Sequence, residues 1–182
     1  REVCYVYSFS ITSDGEENKE TEINGYVKVE SNEFSNLSYI LYEVDYDKEG
    51  DRYKVDKYGN KIPINYKIND SATLESFIRT GKETTEDGTS PFRAIFEKPI
   101  DKKDENEDIT GTTKPLACLF GYADGYEQLD IDNPERCRKY KITNGVKHEY
   151  QLMIWLNETG NEQREQSLEF AGTVSVEVTG GE

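Results

Sequence analysis

Two segments near the end of the chain alternate between apolar and polar positions, and that alternation limits the fold more than any other feature. In YQLMIWLN, Tyr150, Leu152, Ile154 and Leu156 fall on one face, with Gln151, Met153, Trp155 and Asn157 on the other. In FAGTVSVEV, Phe170, Val174, Val176 and Val178 share a face, while Ala171, Thr173, Ser175 and Glu177 point the other way. Side chains alternate along a strand, so each segment buries one face and wets the other. Trp155 falls on the second face of its strand, where we expect loops to cover it.

Alternation recurs along the chain. Residues 3–11, VCYVYSFSI, set Val3, Tyr5, Tyr7, Phe9 and Ile11 against Cys4, Val6, Ser8 and Ser10. Further strands are expected at 25–30, 37–46, 52–55, 62–68, 91–100, 115–120, 137–143 and 146–156. Asn144-Gly145 between the last two is the strongest hairpin signal, and Pro63 marks an edge strand. Residues 71–80, SATLESFIRT, fit one short helix capped by Asp70 or Ser71 and ended at Gly81, with a strand over 74–80 as the competing reading. The acidic segment TSDGEENKETE after the first strand reads as a solvated loop, and DKKDENEDITGTTK lies outside the core. The class is therefore all-β: a two-sheet sandwich of jelly-roll or Greek-key type, with long acidic loops and at most one short helix. Residues 1–12 form an N-terminal strand and 13–182 a single sandwich domain.

Composition bounds the partners. With 37 acidic against 22 basic residues the net charge is −15, which argues against nucleic acid and anionic lipid and for a surface kept soluble. Hydrophobic residues make up 34% and mean hydropathy is −0.86, so the core must be thin. Tyrosine, with 13 copies against 7 Phe, suits a half-wet pleated surface. The chain begins at Arg1 without a membrane-length apolar run, and reads as a mature product from which a targeting segment has been removed.

Three cysteines without a CxxC pair, and one histidine, make a zinc site a poor fit. An extracytoplasmic disulfide fits better, and Cys118 to Cys137 is the shortest closure. Such a loop of about twenty residues is worth roughly 3 kcal/mol on the chain-entropy model. Cys4 is left over, either free, paired within the chain or intermolecular. Asp45, Asp47, Glu49, Gly50 and Asp56 approximate a calcium loop, but their flanks read as strands and a hairpin turn is the expectation. No metal or cofactor is expected. His148 is the only histidine around which a nucleophilic triad would have to be built, and a surface histidine is the simpler account. Together these residues give no catalytic signature.

The segment KYKITNGVKHEYQLMIWL, the acidic ETGNEQ and the strand opening SLEFAG resemble exported surface proteins of Gram-positive bacteria, the TasA and camelysin type. The resemblance covers residues 137–178 and, more weakly, SNLSYILYEV. It implies a secreted jelly-roll subunit whose N-terminal strand can be donated to the next subunit. The matching donor positions are Val3, Tyr5, Tyr7, Phe9 and Ile11, and Cys4 on that strand would then stand where it could link neighbours. The cysteines and extended loops depart from that pattern.

Donation has a physical warrant of its own. A sandwich lacking one strand exposes edge N–H and C=O groups and an apolar groove, and an extended segment from a partner satisfies both. The expectation is a non-enzymatic structural subunit of an extracellular filament, pilus or biofilm matrix, secreted or at the cell surface. Its partners would be copies of itself, with no nucleic acid and no membrane insertion of the mature chain. The alternative is a monomeric adhesin or carbohydrate-binding module.

Overall fold

The computed structural model describes residues 4–35, 37–44, 64, 95–121, 129–130, 137–156 and 167–181. In chain order the strands are β1 (Cys4–Ile11), β2 (Glu20–Asn32), β3 (Leu37–Val44), β4 (Asp101–Lys103), β5 (Ile109–Thr112), β6 (Pro115–Cys118), β7 (Leu129–Asp130), β8 (Tyr140–Thr143), β9 (His148–Leu156) and β10 (Phe170–Gly181). No helix occurs among the described residues. The protein is all-β.

One antiparallel sheet has the order β1-β9-β3. A second runs β10-β2-β6-β7, with β8 also on β2. Its axis is β2, whose 13 residues let β10 run along one side while β6 and β8 share the other. The hairpin expected at Asn144-Gly145 does not form: β8 pairs with β2 and β9 lies between β1 and β3. The chain still turns there, and Gly145 takes φ +75°, a value that glycine adopts without the steric cost of a side chain. This turn carries the chain from the second sheet to the first.

The two sheets meet through their alternating faces in a sandwich-like pair. In the first sheet Tyr39 stands opposite Ile154, Leu41 opposite Leu152 and Glu43 opposite Tyr150. Ile23, Val27 and Val29 of β2 join Leu41, Leu119, Phe120 and Leu152 in one buried cluster. Tyr39 Oη donates to the Cys118 carbonyl at 3.2 Å, a hydrogen bond from one sheet to the other. Phe120 stacks on Tyr140 at 4.6 Å and presents an edge to Tyr150 at 6.0 Å. Trp155 is buried and belongs to the same cluster.

Three segments differ from expectation. β2 begins five residues before Gly25, because Thr21 and Ile23 continue its inward face. The charged run after Ile100 folds as the exposed β4–β5 hairpin, its turn closed by Asp104 Oδ1, which accepts from the backbone N–H of Asn106 and Asp108. Of the strand expected over 91–100, the described part keeps one bridge, Ser38 with Ile95, and Phe96 buries itself in the core. The expected helix over 71–80 and the candidate calcium loop over 45–56 lie outside the described residues.

Candidate functional site

β1 is the most exposed element of the first sheet. Tyr5 and Tyr7 are 63% and 42% exposed, and Val6 is 45% exposed. Phe9 and Ile11 pack against the core, with the Phe9 ring 5.4 Å from that of Tyr150 and 5.9 Å from that of Tyr7. The alternation read along this strand thus holds at its C-terminal half and opens to solvent at the other. Val3 lies outside the described residues.

β1 pairs with β9 from Cys4 opposite Trp155 to Ile11 opposite His148, without a register break. Among the described residues β9 is its one partner, so every second residue turns its N–H and C=O to the open side. Exposed edges are usually blunted by charge, proline or a bulge. The sequence CYVYSFSI carries no charge and no proline.

The other sheet ends nearby. β10 pairs with β2 alone among the described residues, and a groove of about 530 Å³ runs between β1 and β10. Tyr5, Tyr7, Leu152, Ile154, Phe170 and Val174 line it. Farther along β10, Val176 and Val178 are 36% and 73% exposed although they share the alternating face of Val174. Among the described residues the groove is flanked by two strands that each pair on one side only, the geometry in which an extended segment can add main-chain hydrogen bonds and alternate side chains.

A second cluster joins polar groups that the sequence leaves far apart. Glu43, 7% exposed, accepts from Tyr140 Oη through Oε2 at 3.0 Å and holds Oε1 3.2 Å from His148 Nδ1. The Tyr150 hydroxyl is buried and has no hydrogen-bond partner among the described residues. Burial, Glu43's charge and Tyr140 all push its pKa upward. A triad would place a nucleophile at the other ring nitrogen of His148. Here Nε2 meets the backbone N and O of Thr143, each at 3.2 Å. The cluster binds β3, β8 and β9 together. Its sequence signal was a carboxylate on the apolar face of Leu37, Tyr39 and Leu41.

Cys118 and Cys137 form a disulfide with Cα atoms 5.3 Å apart, beneath Tyr26 and Leu116 in a small buried cluster. Cys4 is exposed at the N-terminal end of β1 and lies outside that disulfide.

Among the described residues no group of three or more His, Cys, Asp or Glu side chains is arranged to hold a metal ion. No helix there is long and apolar enough to cross a membrane. No family model, curated protein or solved structure matches the chain.

Proposed function

We propose that this protein is a structural subunit of an extracellular filament, pilus or biofilm matrix, with a jelly-roll or Greek-key sandwich as its unit. Assembly occurs when β1 of one copy takes, on β9 of the next, the place it holds here on its own β9. The observation that carries this reading is the character of β1: an uncharged, unbulged strand that among the described residues pairs with β9 alone, beside an apolar groove. Exchange of an identical element re-forms in trans the contacts it breaks in cis, so it is a low-cost route to assembly. The charge of −15 makes most approaches between copies repulsive, and the uncharged edge is where two copies meet most easily. The Cys118–Cys137 disulfide fits an oxidising, secreted location. Cys4 on the donated strand would link neighbours covalently.

A second reading draws on Tyr5 and Tyr7, whose partly exposed rings line the groove and offer stacking faces to a sugar. It makes the protein a monomeric adhesin or carbohydrate-binding module.

Negative-stain microscopy of the full chain beside a version lacking residues 1–11, with and without reductant, separates the two. Filaments that vanish on truncation support strand donation, and weakening by reductant places Cys4 between subunits. A full chain that stays monomeric and folded overturns the filament reading. Retention of that monomer on a glycan array, lost on substitution of Tyr5 and Tyr7, would favour the second.

A further inference from the structure

The segment that joins β1 to β2 is bound to the turn between β8 and β9 at Asn144 and Gly145. Asn144 is 2% exposed. Its backbone N–H donates to the Lys19 carbonyl at 2.9 Å. Its Nδ2 donates to the Glu16 carbonyl at 2.9 Å. Its Oδ1 accepts from Thr21 Oγ1 at 2.5 Å. Beside it, Gly145 N–H donates to the Ser13 carbonyl at 2.9 Å, and Ser13 Oγ lies 2.8 Å from Thr21 Oγ1. Gly15 passes so close to the Asn144 carboxamide that a β-carbon would collide with it. One residue thus spends its main-chain donor and its Nδ2 on the same short segment, and its Oδ1 on Thr21 at the start of β2, whose hydroxyl in turn meets Ser13 of that segment.

The turn itself needs none of this. Gly145 supplies its positive φ, and a buried carboxamide is retained at a cost unless it is hydrogen-bonded. What these bonds determine is the path of residues 12–19. Folded against the turn, they return the chain so that β1 lies on its own β9. Extended, the same eight residues span at most about 26–29 Å, enough to carry β1 to an adjoining copy.

Resting on the strand-donation reading, we infer that Asn144, with Thr21, is a latch that holds β1 in cis, and that its release sets how readily β1 passes to a second copy of this chain. All of its hydrogen bonds to residues 12–19 belong to the closed path. Weakening it therefore raises the population from which exchange begins and leaves the β1–β9 contacts themselves intact in trans.

The test uses full-length chains carrying Cys4→Ser. Ser8 and Gln151 stand opposite each other in the β1–β9 register. An isotopically labelled S8C chain is mixed with an unlabelled Q151C chain under mild oxidation, and the covalent heterodimer is counted by mass. The same pair is then made with Thr21→Val, and separately with Asn144→Ala, in both chains. Circular dichroism checks that each variant is folded, and T21V keeps side-chain shape should N144A disturb the turn.

Heterodimer formation is expected to rise about tenfold in T21V, the factor carried by one to two net hydrogen bonds. Equal rates in all folded variants overturn the latch and leave strand exchange standing. No heterodimer from any mixture, while S8C and Q151C in one chain close readily in cis, overturns strand exchange itself and the latch with it.

Discussion

Tyr140 Oη donates to Glu43 Oε2 at 3.0 Å, and this bond joins a strand of one sheet to a strand of the other. Glu43 is buried, and its second oxygen faces His148. Removing the carboxylate leaves a tyrosine hydroxyl and an imidazole without their partner. Glu43→Ala is therefore expected to lower unfolding stability by about 3 kcal/mol, the scale of buried hydrogen bonds to a charged group. Glu43→Gln keeps an acceptor for Tyr140 and is expected to lose about half as much. Urea denaturation of the two variants decides it, and equal losses would mean that packing, not this bond, is what Glu43 supplies.

How far the sequence reaches depends on whether a residue acts through its neighbours or across the fold. Phe9 and Ile11 point inward because alternation is local and strand geometry enforces it. Asn144-Gly145 turns where its residue types require. The N-terminal half of β2 was hidden because its alternation is interrupted by polar residues that are themselves buried, Asn24 and Thr21. The β4–β5 hairpin has no apolar face, so no periodicity announces it, and its turn is made by the Asp104 carboxylate accepting from the backbone of Asn106 and Asp108. The groove is legible only once β1 and β10, from opposite ends of the chain, stand at the edges of two sheets. The Asn144 bond to Thr21 spans 123 residues, and no local pattern encodes it.

Tyr26 carries a pH signature. Its hydroxyl donates to Glu177 Oε1 at 2.6 Å. Burial first, then that bond and the nearby charge, push its pKa from 10.0 up to about 12. Because the folded value is raised, the stabilisation is whole below pH 10 and is lost as pH climbs toward about 12. Tyr26→Phe has nothing to ionise there, so its stability is expected to fall less steeply than that of the native chain over this window. Tyr140 and Tyr150 are also pushed upward by burial and by Glu43. The native curve will slope for several reasons, and the difference between the two curves is the readout. Parallel curves would dismiss Tyr26 as a contributor.

The disulfide closes a loop with a separation of 19 residues. Replacing Cys118 and Cys137 together by alanine is expected to lower stability by about 3 kcal/mol. Tyr26 and Leu116, packed on the bridge, should become more accessible. Denaturation of the double variant beside the native chain with and without reductant tests this. A native chain indifferent to reductant while its disulfide is shown to be reduced would contradict it.

Gly25 sits against the core aromatics. A β-carbon there would lie 2.7 Å from Phe120 Cε2 and 3.1 Å from Leu119 Cδ1. Gly25→Ala is expected to cost about 1–3 kcal/mol by overpacking. Phe120→Leu removes the ring that is struck, so the double variant should lose less than the sum of the two single losses. A double-mutant cycle measures that coupling, and strict additivity would place the strain elsewhere.

Phe9 decides how firmly β1 is held. It is the strand's aromatic contact to Tyr150, whereas Tyr5 and Tyr7 remain largely open to solvent. Phe9→Ala is expected to weaken the docking of β1 by about 2 kcal/mol, toward the low end for a partly buried ring. Because among the described residues β1 touches its own sheet along one strand only, that loss should appear as local opening rather than global unfolding. Amide exchange across Cys4–Ile11 is expected to quicken by roughly thirtyfold, the factor that 2 kcal/mol carries, while amides shared by β2 and β10 keep their native rates. If β1 and the β2–β10 pair accelerate together, β1 opens only with the whole fold. Passage of the strand between copies would then require the domain to unfold first.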